Sequence, residues 1–494
     1  MDSLSPLPGC FGGMISRRTQ RKKQGPSTQA PRPASPGPST STGSTCCTPH
    51  EKQLLDKDVE SYSPCCDFTY VVDGDDQGWL PSELPPSYTT TGESANDHSV
   101  AQTIDDTVDS FNAKLRELSC KIHAHPELMF EERYAHDLLT DFMSGQGFLV
   151  TKHYLGLPTA WRAEFSYGSG GRVVGINSEM DALRGLGHAC GHNLIAVSGV
   201  GVALSLKAAM EAHRTPGKII LLGTPAEEAG GGKIILLERG GYKEMDVCIM
   251  CHPSPGSERS ASVGPTIAMQ AIEVEYFGQS AHAGAAPWEG TNALDAAFLA
   301  YSSVSLLRQQ MKPEQRIHGI VQGKDWSPNV IPDYAKMRWL VRSPTYAELL
   351  PLVKRAKNCF EAAATATSCV CKVTAERPYY DLQQNRVLGN AFADIVGNRY
   401  GVQTTQAGTT ASTDFGNISY ALPALHPAFA IPTAPHGGNH TAAFTKAAAT
   451  QEAHDAMLVI TKGLALLGYR ILEDAQFLLE VQSEFIAQTN LRSQ

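Results

Sequence analysis

The chain is 494 residues long, 42% hydrophobic and 18% charged, enough to bury the core of one large domain plus a second. A formal charge of −9 offers no positive field for a nucleic-acid partner. The longest apolar run, 194–210, is interrupted by Ser198, Ser205 and Lys207, too polar for a membrane span, and the N-terminus lacks the apolar stretch of a secretory signal.

Residues 1–103 read as a disordered tail. The stretch "PSTQAPRPASPGPSTSTGST" is rich in Pro, Ser, Thr and Gly and has no apolar period, so it buries too little to offset the entropy of ordering. The tail carries a basic cluster, Arg17 to Lys23, which fits a solvated stretch or a targeting signal. Order is expected from Ile104, where Val108, Phe111, Leu115, Leu118 and Ile122 recur at helical spacing. A second helix over "YAHDLLTDFMSGQGF" should stop at Gly145 and Gly147.

An alternation of strands and helices follows. "RVVGINSEMDA" (172–182) reads as a strand, leading into "GLGHACGHN" and an apolar helix at 194–212. "GKIILLGTPAEEAGGG" (217–232) is a strand ending in two glutamates and three glycines, with a short helix after it. "MDVCIMCHPSP" (245–255) is a third strand and "HPAFAIPTAPHGGNH" (426–440) a fourth, again followed by a helix. This pattern predicts an α/β fold with a mostly parallel, twisted sheet covered on both faces. Between the third and fourth strands the order becomes β-α-β-β-α-β, the plan of a ferredoxin-like α+β domain. The expected organisation is a catalytic domain in two parts, 104–266 and 379–475, an inserted lid and dimerisation domain at 267–378, and a C-terminal extension at 476–494.

Ligands of open α/β sheets bind beyond the carboxyl ends of the strands. Four predicted strands end in metal-capable side chains: Cys190 and His192, Glu227 and Glu228, His252, and His436 with His440. Each alone has an ordinary reading: His252 as a loop histidine, the glutamates as acids near a helix start, "HACGH" as half of a structural zinc clip. A structural clip would show a second C-x-x-C or H-x-x-x-H nearby, and none adjoins "HACGH" in the sequence. A redox thiol would show a C-x-x-C beside Cys190. Cys248 and Cys251 have that spacing, but inside a strand whose faces alternate. The convergence therefore favours a catalytic metal site of mixed carboxylate, imidazole and thiolate ligands. Cys190, His192, Glu228, His252 and His440 make five ligands, with Glu227 beside them, and five suit two ions about 3.5–4 Å apart better than one tetrahedral ion. Adjacent glutamates cannot face the metal in the same way, so one ligand and one base is the economical division.

Together, "SEMDALRGLGHACGHNLIA", "GTPAEEAGGGK", "MCHPS", "GQSAHAG", "SPNVIPDYAKMRWLVR", "STDFGNIS" and "NHTAAF" resemble the aminoacylase/carboxypeptidase-type metallopeptidases, the M-twenty amidohydrolases. The resemblance runs from about residue 104 to 475 and is strongest to the aminobenzoyl-glutamate hydrolase and Xaa-Arg dipeptidase branch. It implies a metal-dependent amidohydrolase that cleaves N-acyl amino acids or dipeptide-like substrates with a metal-activated water. It implies Cys190, His192, Glu228, His252 and His440 as ligands to one or two Zn²⁺ or Mn²⁺ ions, with Glu227 as general base and acid. Asp181 would orient a ligand. His282 would stabilise the developing oxyanion, in related enzymes from the neighbouring subunit, which implies a homodimer through the lid. Asn329 and Arg342 would hold the substrate's carbonyl and carboxylate. His440 is preferred to His436 because it precedes "TAAF", as the family pattern requires.

The chain departs from that pattern at Arg184, where the family has proline. A charge there could narrow or recharge the pocket entrance. Arg184 is also the one feature that speaks for the alternative, a catalytically silent metal-binding regulatory or binding protein of the same fold. Twelve cysteines are too sparse for a disulfide scaffold in a chain of this length, so a reducing, cytoplasmic location is expected. No nucleic acid or membrane partner is expected.

Overall fold

The computed structural model describes residues 95–492. The Arg17–Lys23 cluster and most of the predicted tail lie outside the described residues. Order begins earlier than expected: the first helix is Ala95–Ala124, so residues 95–103 are helical rather than tail. Val100, Ala101 and Ile104 are buried and extend the apolar stripe of Val108, Leu115 and Ile122 by more than a turn. The second helix, Arg133–Gly145, ends at the expected glycine.

The main sheet has six strands in the order Leu149–Lys152, Trp161–Tyr167, Gly217–Thr224, Arg172–Glu179, Val247–Ile249 and Ala424–Leu425. The last four are mutually parallel, and the first two form an antiparallel edge. Register pairs Glu179 with Thr224 and Ile176 with Ile249, so the parallel strands end at one edge. The helix His192–His213 lies against this sheet with 17 residues buried. It approaches closely at Gly199, where a Cβ would sit 2.3 Å from Ser178 Oγ. It is long and apolar enough to cross a membrane by length and composition, but 89% of its apolar window is buried as a core helix.

The predicted third strand is broken in two. The third becomes Val247–Ile249 in the main sheet and His252–Pro255 in a second, four-stranded sheet. The fourth is the shorter Ala428–Ile431, and a separate strand, Ala424–Leu425, precedes its expected start at 426; these two pair in parallel with the two halves of the third on both sides of the break. Pro427, at the break, has no amide hydrogen to donate to the ladder, while Met250 N and His252 N still bond Leu425 O and Pro427 O at 3.0 Å each. The break turns His252 into the head of a new strand.

The inserted region follows the expected order: strand Ala268–Phe277, helix Ala293–Leu307, strands Arg316–Gln322 and Tyr334–Ser343, helix Tyr346–Thr367 and strand Val370–Ala375. Its antiparallel sheet packs both helices over a separate core that includes Trp339, Phe360 and Met337. The C-terminal stretch is a helix, Ala475–Arg492, that buries Phe477, Leu478 and Val481 in the main core.

Candidate metal centre

The loop after Glu179 and the first turn of the long helix carry the densest part of the site. Gly191 separates Cys190 from His192 with φ +74°, and a Cβ there would lie 2.5 Å from Pro253 Cγ. Glycine at this position lets the loop close against the segment bearing His252. Cys190 Sγ then sits 3.3 Å from His252 Nε2. His252 Nδ1 donates to its neighbour's carbonyl, Pro253 O, at 2.8 Å, which leaves Nε2 as the lone-pair nitrogen facing the thiol.

His192 opens the helix, fully buried. Its Nδ1 lies 3.2 Å from Asp181 Oδ1, and Asp181 Oδ2 accepts from Glu228 N at 3.0 Å. Asp181 therefore holds the ring of one expected ligand and the backbone of another. His192 Nε2 finds no hydrogen-bond partner; it lies 3.8 Å from Glu228 Oε1 and 3.9 Å from Glu227 Oε2. Glu228 Oε1 is likewise buried without a partner, and Oε2 lies 3.4 Å from His440 Nε2. His440 is held in a left-handed conformation, φ +66°, with its amide bonded to Ala189 O at 2.8 Å. His436 is exposed and joins none of these clusters.

The five expected ligands form two groups of three, Cys190–His192–His252 and Cys190–Glu228–His440, each within 4.8 Å and sharing the Cys190 sulfur, and a further group, His192–Glu227–Glu228, brings the second glutamate against them. Thiolate, imidazole and carboxylate donors suit a borderline divalent ion. Two buried polar atoms left without partners at the centre, His192 Nε2 and Glu228 Oε1, are what a cation would satisfy. The donor set fits a divalent metal.

Burial raises both glutamates, in Glu228 against the opposing pull of His192 and His440. Burial, reinforced by Glu179 and Glu228, pushes the Glu227 carboxyl well above its ordinary value. Burial alone would lower His192, but Asp181 raises it well above the ordinary range. Burial and Glu228 push the Cys190 thiol up, so it is not the accessible, acidic thiol a redox reading requires. Cys248 and Cys251 face different cores, with Cys251 Sγ 3.2 Å from Ser198 Oγ, and are not a redox pair.

Several residues were missed in the sequence. Glu132, fully buried, accepts from Ala226 N at 2.8 Å and from Thr159 Oγ1 at 2.6 Å. It thereby pins the left-handed Ala226, φ +61°, that precedes the two glutamates. Tyr379 donates to the Glu227 carbonyl at 2.8 Å, and Asn439 donates to Pro253 O at 3.2 Å. Lys233, fully buried, forms ion pairs of 2.6 Å with both Glu179 and Asp414. All three lie in quoted motifs, "SEMDAL", "GGGK" and "STDFG"; the signal was a charge placed beside an apolar run.

The remaining predicted residues sit elsewhere. His282 and Asn329 are exposed and adjacent on the inserted domain, where residues 282 and 330 form a bridge and Ala283 N bonds Asn329 O at 2.9 Å. His282 Nδ1 accepts from Gly284 N and Ala285 N, fixing the hydrogen on the outward Nε2 in the neutral ring. None of its bonds reaches the candidate metal-ligating cluster of its own chain. Arg342 Nη1 donates to Ser412 Oγ at 3.1 Å and Thr410 O at 3.3 Å. Among the described residues no carboxylate lies within ion-pair distance of it. Arg184 is exposed at the tip of the 183–187 turn.

The model of peptidase family M20/M25/M40 matches residues 175–458. The chain is 42% identical over 395 residues to the Xaa-Arg dipeptidase of Mus musculus, covering 76% of this chain and 90% of that protein. It is 39% identical over 399 residues to the Xaa-Arg dipeptidase of Homo sapiens, with the same coverage of 76% and 90%. Among solved structures, a dinuclear metal-binding peptidase of the M20 family from Bacillus subtilis superposes with a TM-score of 0.57 at 21% identity, covering 74% of this chain and 99% of that one. The chain belongs to peptidase family M20/M25/M40 and is a metal-dependent amidohydrolase.

Proposed function

We propose that the chain is a dipeptidase or N-acyl amino acid hydrolase with a two-ion Zn²⁺ or Mn²⁺ centre, working as a cytoplasmic homodimer. The observation that carries the two-ion reading is the pair of donor triads sharing Cys190 Sγ. Divalent ions held by Cys190, His192, Glu228, His252 and His440 would supply Lewis acidity to the scissile carbonyl and to the attacking water. Glu227, buried beside the ligands with Oε2 3.9 Å from His192 Nε2, takes the proton of the attacking water and delivers it to the leaving amine. Arg342, without an ionic partner among the described residues, offers a free guanidinium to the substrate's terminal carboxylate. His282 presents Nε2–H to the oxyanion and Asn329 binds the same carbonyl.

Because the His282 side chain is exposed and its ring is bonded only within its own loop, it serves a neighbouring protomer's centre. Phe298, Leu299, Tyr301 and Leu306 on the lid helix, and Ile320 on the edge strand beside it, are exposed apolar side chains that a second lid would cover. Free thiols such as Cys248 and Cys251 support the reducing location. The mouse and human relatives' names make dipeptides with C-terminal arginine the first substrates to test.

The test is a hydrolysis screen. The purified chain is stripped with chelator and reloaded with Zn²⁺ or Mn²⁺. It is then offered dipeptides ending in Arg, Lys or Orn, aminobenzoyl-glutamate and N-acyl amino acids, with released amino acid detected by mass spectrometry. Metal-restored cleavage is expected. Tight metal binding with no cleavage of any of them would favour the catalytically silent alternative.

A further inference from the structure

Behind the metal ligands lies a charged group that the reaction as described does not use. Glu179 ends a central strand, Asp414 precedes the helix Phe415–Ala421, and Lys233 stands in the first turn of the helix Gly232–Glu238. All three are fully buried. The Lys233 ammonium lies 2.6 Å from Glu179 Oε1 and 2.6 Å from Asp414 Oδ1, and its backbone N donates to Asp414 Oδ2 at 2.9 Å. Burying an ammonium and two carboxylates is expensive, and packed apolar residues would serve stability as well or better.

The position of the group supplies a reason. Glu179, Asp414 and the general base Glu227 each present an oxygen within 4.8 Å of the other two, a cradle of three hard donors of the kind that binds a divalent cation. The cradle adjoins the ligand set, since Glu179 Oε2 lies 3.5 Å from His192 Nε2, the partnerless nitrogen at the centre. A metal ion in the cradle would draw Glu227 into coordination and remove the carboxylate needed for proton transfer. An ammonium fixed to the chain supplies positive charge there without offering coordination sites.

We propose that Lys233 is a positioning residue, a tethered cation that occupies a three-carboxylate cradle beside the catalytic centre, excludes a further metal ion from it, and so keeps Glu227 free to act as base. The inference rests on the metal-hydrolase reading above but concerns a position outside the ligand set.

The test is metal stoichiometry. Wild type, Lys233→Ala and Lys233→Met are stripped, dialysed against a series of free Mn²⁺ concentrations, and bound manganese per folded chain is measured by mass spectrometry. Lys233→Ala empties the cradle and is expected to hold one equivalent more than wild type. Lys233→Met fills the volume without charge and is expected to hold the wild-type number. Adding Glu227→Gln to Lys233→Ala should weaken the extra ion at least tenfold, whereas Glu227→Gln alone should leave the wild-type manganese content unchanged. In Lys233→Ala, excess Mn²⁺ should depress kcat with KM little changed.

Equal stoichiometry in wild type and Lys233→Ala at every Mn²⁺ concentration overturns the proposal. So does a Lys233→Ala chain that folds at no Mn²⁺ concentration while Lys233→Met folds, because the cradle then does not accept a metal ion in place of the ammonium. A wild type that takes up no metal at all defeats the hydrolase reading itself, an outcome distinct from either.

Discussion

Asp181→Asn isolates the residue that joins two halves of the metal centre. The Asp181 carboxylate meets two donors, His192 Nδ1 at 3.2 Å and Glu228 N at 3.0 Å, and is 1% exposed. An asparagine keeps the shape but has a single acceptor oxygen, so it can serve one donor and turns its own N–H toward the other. Loss of one charge-assisted bond, with a donor left facing a donor, costs about 1.5–3 kcal/mol. If that cost falls on ligand geometry, metal affinity drops roughly 10- to 150-fold, overlapping the range seen when outer-shell partners of metal ligands are removed. Asp181→Ala strands both donors and should weaken binding further. The assay is competitive titration of Zn²⁺ against a calibrated chelator, with thermal unfolding of the metal-free proteins alongside. Lost activity with unchanged metal affinity in both variants would refute this role for Asp181.

Gly191→Ala should lower Tm and metal affinity together, because φ +74° costs a side chain about 1–2 kcal/mol and the new Cβ meets Pro253; differential scanning fluorimetry with and without metal checks it. Arg342→Met should raise KM for carboxylate-bearing substrates roughly 100-fold with a smaller change in kcat, and Arg342→Lys should recover only part, since an ammonium cannot make the forked contact. Burial holds the His454 imidazole, whose Nε2 is 2.9 Å from Asn112 Oδ1, down to about 4. Its folded pKa lies below the unfolded value, so its contribution to stability is complete above about pH 6.5 and is lost as pH falls toward 4. Tm measured between pH 7 and 4.5 should therefore fall less in His454→Gln than in wild type. If protomers share sites through His282, inactive His282→Ala and Glu227→Gln chains mixed as heterodimers should recover activity, read as hydrolysis after co-refolding.

Much of the site was legible because its chemistry is concentrated in short loops at strand ends. "HACGH" and "AEE" display their donors openly, and a parallel sheet brings such loops to one edge. The lid was legible from its change of period. What the sequence concealed depends on contacts between distant segments. Glu132 lies 94 positions from the Ala226 amide it pins, and Lys233 lies 181 from Asp414. The split of the third strand was hidden because "VCIMC" runs apolar into the break, while the change of sheet is set by pairing with the segment at 424–431. The early start of the first helix was missed because Val100 and Ala101 are isolated apolar residues in a polar stretch until packing shows which face is buried.

The division of labour proposed here has Glu227 moving the proton while Cys190, His192, Glu228, His252 and His440 hold the metal. Glu227→Gln separates the two tasks when it is loaded with Mn²⁺ or Zn²⁺ and given the best substrate from the screen under single-turnover conditions. Wild-type metal content is expected, with hydrolysis slowed by roughly 10²–10⁴-fold. Near-wild-type hydrolysis, or a variant that no longer retains metal, would contradict it.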